Sequence, residues 1–391
     1  MDRKKNITLI VMFIGMIYFI AAVNIIAPDK ESSDVENREL QQLPTISDMK
    51  SGDFSQLMDS YCSDQFFMRD LLLEFDIRWK LLTGKTQING HYIANDGWIL
   101  GQNEQSEQSN EDIKIWSEKI YEISKKAKEK GMDVFYCSLP HKVNTLDFMY
   151  PEFVDKKYGM SNEKRMLSSI EKKGIKTINI GEYFKKNFTE EELKNMYFKT
   201  DHHWNSLGAY NAFRYFIEKY SEYEKIDISL DESNYNLEWL NNREFDGSYN
   251  RNLAYIFPKK ENIPVIDSKL NYEYYILENG KFKEISKERI VGTGRKNKEL
   301  SYEEVYTGNE ECYKIVNNKS KTDRSILVIR DSYEAAMTGM LSEVFRNVYI
   351  VDPRVGDFDF DYVLSHCNAD NLVFMFNNGL VMDDMLSYFD N

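Results

Sequence analysis

The sequence has no excess of basic residues and no clustered cysteines. Its 50 Lys and Arg are outnumbered by 64 Asp and Glu, which gives a net charge of −14. Because a nucleic-acid backbone is bound by clustered Lys and Arg, this balance argues against an extended nucleic-acid surface. The four cysteines form no C-x-x-C or Cys/His cluster that would suggest zinc. We expect no cofactor.

Glycine and proline are also modest, at 19 and 7 residues, whereas hydrophobic residues make up 42% and aromatic residues 14% of the chain. This composition is sufficient for a large core and argues against disorder. A length of 391 residues allows one large domain or two. The many aromatic residues are explained either by core and strand positions or by stacking on sugar rings.

The first strong feature is an apolar run near the amino terminus, Ile7–Ala27, which only Thr8 and Asn24 interrupt. A helix of this length spans about 31 Å, close to the thickness of a bilayer core. Basic residues at positions 3–5 precede the run and acidic residues follow it, so the positive-inside rule places the amino terminus in the cytoplasm. We expect residues 1–27 to be an uncleaved membrane anchor.

Two other interpretations of this run are a cleaved signal peptide and a buried core helix. A signal peptide has a shorter apolar region and a small-x-small cleavage site, which the sequence at 21–24 fits poorly. The basic residues at 3–5 and the length of the run argue against a core helix.

Beyond the anchor, residues 28–50 are predicted to be a polar tether, and residues 51–391 a domain in which helices alternate with short apolar strands. That alternation predicts an α/β fold with a doubly wound parallel sheet. Residues 225–320 lack this rhythm and are predicted to be an irregular insertion over the sheet, in which a small β element remains an open alternative. The predicted helices cover 52–82, 111–130, 161–173, 204–220 and 334–345; the predicted strands cover 132–139, 175–180, 325–329, 348–351 and 372–376, with a hairpin at 91–100.

A serine stands where one predicted strand meets a helix, in the segment Ile329-Arg330-Asp331-Ser332-Tyr333. Sites in open α/β sheets form at the carboxyl ends of strands, and a helix amino terminus offers backbone N–H groups to an oxyanion. A serine there acts as a nucleophile only with a histidine base. The alternative is that Asp331 or Ser332 merely caps the helix.

The segment Thr200-Asp201-His202-His203-Trp204-Asn205 supplies the missing partners. It holds two of only five histidines in the chain. The Asp-x-His spacing allows a carboxylate and an imidazole from one turn to act together. The alternatives are that Thr200 or Asp201 caps a helix, or that the two histidines bind a metal; adjacent histidines point apart, which disfavours the metal.

The tetrad Asp201-His202-His203-Trp204 resembles the signature of the bacterial DHHW proteins, relatives of the SGNH-like alginate O-acetyltransferases. Other segments resemble the family in the same order along the chain, from about residue 36 to 380. They are Glu36-Asn37-Arg38, Leu43-Pro44, Gly52-x-Phe54, Asp64-Gln65-Phe66 with Arg69-Asp70, Asn95-Asp96-Gly97-Trp98, Pro140-x-Lys142, Tyr150-Pro151-Glu152, Asp246-Gly247-Ser248 and Asp352-Pro353-Arg354.

The resemblance implies an SGNH-like α/β/α sandwich with a catalytic triad, in which Ser332 is the nucleophile, His203 the base and Asp201 the carboxylate that orients it. His202 falls at the variable position of the motif. Arg330 departs from the family, where many relatives have Gly. The residues expected to contact substrate are Tyr333, Arg330, Trp204, Lys142 and Asn377.

The same resemblance implies a membrane-anchored bacterial O-acetyltransferase that modifies an extracytoplasmic polysaccharide. A multi-pass membrane-bound O-acyltransferase would supply the acetyl group, and Ser332 would carry it as an acyl-enzyme. Two alternatives stay open. One is a carbohydrate esterase with the same triad, and the other is a catalytically silent subunit that binds polysaccharide or serves as a scaffold.

Overall fold

The computed structural model describes residues 3–33, 36, 38–103, 106–379 and 382–389. Asn37 of the amino-terminal block and Asn391, expected outside the cell, lie outside the described residues. The helices are α1 (Arg3–Ile26), α2 (Asp48–Ser51), α3 (Phe54–Asp64), α4 (Arg69–Leu82), α5 (Asn110–Glu129), α6 (Lys142–Thr145), α7 (Tyr158–Glu171), α8 (Ile180–Asn187), α9 (Glu190–Asn195), α10 (Ser206–Glu224), α11 (Ser248–Arg251), α12 (Tyr302–Val305), α13 (Thr338–Val344), α14 (Phe360–His366) and α15 (Met382–Ser387).

Most strands are short, and the longest, β6 and β17, have seven residues each. In chain order they are β1 (Ser32–Ser33), β2 (Arg38–Glu39), β3 (Gln87–Ile88), β4 (His91–Ile93), β5 (Ile99–Leu100), β6 (Asp133–Leu139), β7 (Lys176–Asn179), β8 (Tyr235–Trp239), β9 (Glu244–Phe245), β10 (Pro264–Ser268), β11 (Glu273–Glu278), β12 (Lys281–Ile285), β13 (Glu299–Leu300), β14 (Cys312–Val316), β15 (Ser325–Arg330), β16 (Asn347–Val351) and β17 (Asn371–Asn377).

The chain divides into two compact units, residues 1–89 with 250–258 and residues 90–249 with 259–391. The predicted divisions after residues 27 and 50 stay predictions. In the first unit, α1 is long and apolar enough to cross a membrane, with a mean hydropathy of 2.6 in its most apolar 18-residue window. The single helical region predicted for 52–82 is two helices, because Met68 adopts a left-handed backbone conformation (φ 60°) between α3 and α4.

The second unit is built on an eight-stranded sheet with the order β12-β11-β14-β16-β15-β17-β6-β7. Its five strands from β16 to β7 are all parallel to their neighbours, as the alternation of helices and strands predicted. Every strand of this parallel part was predicted within two residues of its ends. The doubly wound α/β class is therefore confirmed.

Side chains of β6 show how the two faces of this sheet are covered. Phe135, Cys137 and Leu139 belong to the same buried cluster as the α10 residues Phe213 and Phe216. The intervening Val134 and Tyr136 belong to the cluster that α5 and α7 complete. Since alternate residues of a strand face opposite sides, helices lie on both faces of the sheet, as in an α/β/α sandwich.

The region 225–320 was only partly predicted correctly. It is not simply an irregular insertion over the sheet, because β11, β12 and β14 extend the sheet by three antiparallel strands. Strand β11 buries alternate residues, Tyr274 and Ile276, against the core while its other side chains are more exposed. Tyr275 and Leu277, which alternate with the two buried residues, are themselves aromatic or apolar, so the sequence of β11 does not show this alternation.

Candidate active site

Ser332 stands two residues beyond the end of β15, at the carboxyl edge of the parallel strands. The residues Asp201 and His203 come from the turn between α9 and α10, which an isolated bridge between Tyr197 and Trp204 closes. The Nε2 atom of His203 lies 2.8 Å from the Ser332 hydroxyl oxygen. Its Nδ1 atom lies 2.7 Å from Oδ1 of Asp201. The fold thus aligns serine, imidazole and carboxylate in one row.

The protonation of this row follows from the carboxylate. Burial alone would raise the pKa of Asp201, but the neighbouring His202 and His203 and the hydrogen bonds it accepts lower its pKa well below the usual value. An ionised carboxylate only accepts hydrogen bonds, so Nδ1 of His203 carries the proton and donates it. The Nε2 atom is then free to accept the proton of the Ser332 hydroxyl.

Backbone N–H groups fix both oxygens of the Asp201 carboxylate. Oδ1 accepts from the N–H of His203 (2.8 Å), and Oδ2 accepts from the N–H of Ser248 (2.7 Å). The second bond depends on Gly247, because a Cβ atom there would lie 2.4 Å from the carbonyl oxygen of Thr200. The Asp246-Gly247-Ser248 match thus has a physical reason, a close approach that only glycine permits.

An aromatic ring stacks on the face of the imidazole of His203. The ring of Tyr302 stacks on the imidazole of His203 with centroids 3.7 Å apart and planes 6° apart. His203 is 3% exposed, and Tyr302 is equally buried. Neither Tyr302 nor Ser248 was predicted to be in the site. Tyrosines are abundant in this chain, and the family resemblance marked the segment of Ser248 without giving it a role.

His202 points elsewhere. Its Nδ1 lies 2.7 Å from the Ser248 hydroxyl, and its side chain is about one-third exposed. Burial, together with the neighbouring His203, lowers its pKa well below the usual value. The hydroxyl of Tyr333 donates to its backbone carbonyl. His202 therefore borders the row without taking part in it.

Lys142 contacts the turn that carries Asp201 and His203, and it is fully buried. Its Nζ donates to three backbone carbonyls, those of Ile99 (2.7 Å), Lys199 (2.9 Å) and Asp201 (2.8 Å). Burial lowers its pKa to about 7, against the opposing effect of Glu261 and Asp201. A side chain without exposed surface whose donors are all used is not placed to contact a substrate, contrary to the expectation for Lys142.

Glu261 fixes the same turn from its N–H side. Its Oε1 accepts from the backbone N–H (2.7 Å) and hydroxyl (2.6 Å) of Thr200, and its Oε2 accepts from the N–H of Lys199 (3.1 Å). Burial raises the pKa of this carboxyl group. Lys142 and Glu261 together thus hold the backbone of residues 199–201. Glu261 was not predicted, because a Glu in a polar segment carries no signal of such a role.

The other residues expected to contact substrate have structural partners. Trp204 and Tyr333 are completely buried, and the indole Nε1 of Trp204 donates to the carbonyl of Tyr333 (2.7 Å). Asn377 is half-buried, and both its backbone N–H (2.6 Å) and its amide Nδ2 (2.8 Å) donate to Oδ2 of Asp331. Asp331 in turn accepts from the N–H of Tyr333 (2.8 Å). These contacts hold the loop around Ser332.

Arg330 is also fully buried, so the substrate contact expected for it is not possible in this conformation. Its guanidinium donates to the Thr307 hydroxyl (2.9 Å) and to the Gly308 carbonyl (3.0 Å), and it pairs with Glu334 (3.3 Å). It neither crowds Ser332 nor offers a charge to solvent. Arg330, which stands where many relatives have Gly, is thus held inside the protein by hydrogen bonds and an ion pair.

The chain after Ser332 does not begin a regular helix at once. A 3₁₀ turn covers 334–336, and α13 starts only at Thr338. The predicted helix 334–345 is thus a 3₁₀ turn followed by a shorter α-helix, and Ser332 stands just before the 3₁₀ turn. The side chain of Asp331, which accepts the N–H of Tyr333, shapes the turn at Ser332 in place of a helix start.

Among the described residues, Asp201, His202 and His203 offer ligand atoms within 4.8 Å of one another. A metal held by these atoms would compete with existing hydrogen bonds, because Nδ1 of His203 is bonded to Asp201 and Nδ1 of His202 to Ser248. The donor atoms thus fit a hydrogen-bonded triad better than a coordination site.

Residues 92–272 match the model of a family described as the SGNH hydrolase-like domain of the acetyltransferase AlgX. Among solved structures, Bacillus cereus PatB1 with a sulfonyl adduct is similar, with a TM-score of 0.67 and 24% identity over 78% of this chain and 100% of that one. A DHHW family protein from Eubacterium siraeum has a TM-score of 0.55 and 20% identity, over 78% of this chain and 97% of that one. No curated protein matches. At these identities, the two structures establish a shared fold.

Proposed function

We propose that this chain transfers acetyl groups to hydroxyls of an extracytoplasmic polysaccharide, because its residues 92–272 match the model of the SGNH hydrolase-like acetyltransferase family. Ser332 is the nucleophile, His203 the general base and Asp201 the carboxylate that orients the base. The resemblance to the DHHW proteins is confirmed, and their relatives, the alginate O-acetyltransferases, motivate the choice of polysaccharide as acceptor.

In the first half of the reaction, the Ser332 hydroxyl oxygen attacks the carbonyl carbon of an acetyl donor, and its proton passes to Nε2 of His203. The donor's leaving group takes that proton as its bond to the acetyl carbon breaks, which leaves acetyl-Ser332. The 2.8 Å separation of Oγ and Nε2 is within the range for direct proton transfer. The charge of Asp201 stabilises the imidazolium that forms in between.

In the second half, a sugar hydroxyl gives its proton to Nε2 of His203 and attacks acetyl-Ser332. The ester bond to Ser332 breaks, and the serine oxygen recovers a proton from His203. Transfer requires that the sugar hydroxyl be better placed than water at this step. An esterase would use the same residues with water as the acceptor, and the choice between acceptors distinguishes the two activities.

We further propose that α1 anchors the chain in the bacterial cell membrane with the catalytic domain on the extracytoplasmic side. Lys4 and Lys5 precede the apolar segment, and Asp29 and Glu31 follow it, as the positive-inside rule requires for this orientation. The acetyl donor would then be a multi-pass membrane-bound O-acyltransferase that delivers acetyl groups across the same membrane.

The observation that carries the proposal is the row Ser332–His203–Asp201, of which Asp201 and His203 lie in the segment that matches the acetyltransferase family model. The test is to give the full-length chain in detergent a chromogenic acetyl ester, with and without polysaccharide. We expect acetylated polysaccharide, and we expect Ser332→Ala to form none. Free acetate as the sole product with every acceptor would favour the esterase, and activity retained in Ser332→Ala would contradict the triad.

A further inference from the structure

A cleft separate from the row of Ser332, His203 and Asp201 lies in the unit that holds the triad. Its volume is about 770 Å³, and its walls come from α9, from the start of α10, from the loop after β8 and from residues 260–262. None of the triad residues lines it. Nothing in the reaction described above uses this cleft.

Cations dominate the walls of the cleft, although the chain as a whole carries a net charge of −14. Five cationic side chains face two carboxylates there, and one of the two, Glu261, is buried and already bonded to Lys199 and Thr200. A local excess of positive charge in an acidic protein attracts anions to that place. The cations are Lys194, Lys199, Arg243, Lys260 and Lys298.

These cations are not all neutralised by the protein. Lys194 pairs with Glu191 (3.0 Å) and Lys298 approaches Glu244 (3.5 Å). Arg243 and Lys260 form no ion pair with the part of the chain that the structure describes. Arg243 is half-buried and Lys260 exposed, so both are available to a ligand that enters the cleft.

Three other residues in the walls of the cleft, a tryptophan and two asparagines, can contact a sugar. Trp239, the last residue of β8, is 45% exposed, an unusual degree for so large an aromatic side chain. An exposed indole offers an apolar face to a sugar ring, and the neighbouring Asn242 and Asn262, both exposed, offer amides to hydroxyl groups. An aromatic platform, amides and unpaired cations together fit a saccharide that carries negative charge.

The floor of the cleft is the other side of the turn that carries Asp201 and His203. Lys199 and Glu261 line the cleft, while the Lys199 carbonyl accepts from Lys142 and Glu261 accepts from Thr200. Asp201 is the next residue along the chain. A polymer bound in the cleft would therefore be held against the same stretch of chain that carries the catalytic carboxylate.

We propose that this cleft binds an anionic segment of the polysaccharide acceptor, and thereby retains the polymer while a hydroxyl elsewhere along it is acetylated. The proposal rests on the proposed acetyltransferase function and adds to it the chemical class of the acceptor, a polysaccharide with carboxylate or other acidic groups. The cleft supplies affinity for the polymer, whereas Ser332 and His203 supply the chemistry.

The test measures binding by calorimetry, which does not depend on turnover. Full-length chain in detergent is titrated with oligogalacturonate and, separately, with the same oligosaccharide fully methyl-esterified, which has the same backbone without the charge. We expect the charged probe to bind, the ester to bind at least about tenfold more weakly, and the affinity to fall as salt is added.

The variant Arg243→Glu with Lys260→Glu should lose most of the affinity for the charged probe. A matched control, Lys130→Glu with Lys172→Glu, reverses two exposed cations that follow α5 and α7, on the opposite face of the sheet. It should bind as the unmodified chain does. Equal affinity for the two probes, no binding by the unmodified chain, or unchanged binding by the cleft variant would overturn the proposal.

Turnover of a small acetyl ester separates this proposal from the proposed function. The cleft variant should hydrolyse or transfer from the small ester at the normal rate, while its KM for an anionic polymer acceptor rises. Normal ester turnover with unchanged polymer binding would overturn the cleft alone. If the unmodified chain does not turn over the small ester, the catalytic proposal is overturned, whatever the binding result.

Discussion

At the scale of single residues, His203 is the group on which the proposed chemistry depends. It is hydrogen-bonded to Asp201, lies 2.8 Å from Ser332 and is stacked on Tyr302. We expect His203→Ala to lower kcat by a factor on the order of 10³ or more, because the nucleophile loses its base. His202→Ala is the matched control, and it should keep the fold and much of the activity.

These two variants are compared by steady-state turnover of an acetyl ester, with circular dichroism to verify folding. Equal loss in both would mean that His202 contributes to the reaction through Ser248. Loss in His202→Ala alone would reverse the assignment.

Lys142 is predicted to act through Asp201 and not through the substrate. Replacing Lys142 by Met removes the ammonium and leaves up to three buried carbonyls without a donor, at a cost of about 1–3 kcal/mol for each unsatisfied group. We expect a lower melting temperature and, because the triad turn loosens, a kcat reduced by about 10². KM for a small ester should change little.

Lys172→Met, at an exposed position after α7, is the control and should leave melting temperature and kcat unchanged. A higher KM for Lys142→Met, with kcat and melting temperature unaltered, would restore the substrate contact that the family resemblance implied.

At the scale of elements, an ion pair joins two segments of the amino-terminal unit that the family resemblance had marked separately. The Arg38 guanidinium donates to both oxygens of the Asp64 carboxylate (2.7 and 2.6 Å), and Asp64 also accepts from the N–H of Gln41 (2.9 Å). These bonds, opposed by burial, lower the pKa of Asp64 to about 2.

Asp64 should therefore make the stability of this unit depend on pH. A carboxyl group whose pKa is lower when folded stabilises the fold above its unfolded pKa of about 3.9 and loses that effect as the pH falls through its folded pKa. We expect Asp64→Asn to melt below the unmodified chain at pH 5–7, with the gap closing between about pH 4 and pH 2.

Thermal unfolding across that pH range provides the measurement. Asp76→Asn, which removes the partner of Lys80 from an exposed i,i+4 pair, should have little effect at any pH. A gap for Asp64→Asn that does not vary with pH would show that packing, and not charge, underlies its effect.

The elements also show what the sequence is able to predict. The parallel strands were located because each is a short apolar run between helices with a clear period. Strands β11, β12 and β14 were not, because each contains charged residues and because β14 pairs with strands that are distant in the chain. The break at Met68 depends on one left-handed residue that local pattern does not reveal.

The residues of the site were likewise only partly predictable from the sequence. Residue type and spacing singled out Asp201, His203 and Ser332 as candidates, and the family resemblance assigned their roles. Those catalytic roles stay predictions. Glu261 and Tyr302 were missed, because their roles exist only through contacts made across the fold. Lys142 was expected to contact substrate because it lies in a segment that matched the family, and Arg330 because it departs from the family. Burial directs both towards the protein and away from a substrate.

At the scale of the whole molecule, the proposed orientation in the membrane has a direct test. Basic residues at the start of α1 and acidic residues after it predict that the chain beyond residue 27 is outside the cytoplasm. Protease added to intact cells or protoplasts should remove the catalytic domain, while a cytoplasmic control protein stays intact. Protection of the chain until the membrane is permeabilised would show the opposite orientation.

The central claim is that Ser332 carries the acetyl group, and mass spectrometry of the protein after brief exposure to an acetyl ester tests it most directly. We predict that the peptide containing Ser332 gains the mass of one acetyl group, that Ser332→Ala does not, and that added acceptor polysaccharide removes the label as acetylated sugar appears. Turnover of the ester with an unmodified Ser332 peptide at every time point, or acetylation that persists in Ser332→Ala, would contradict it.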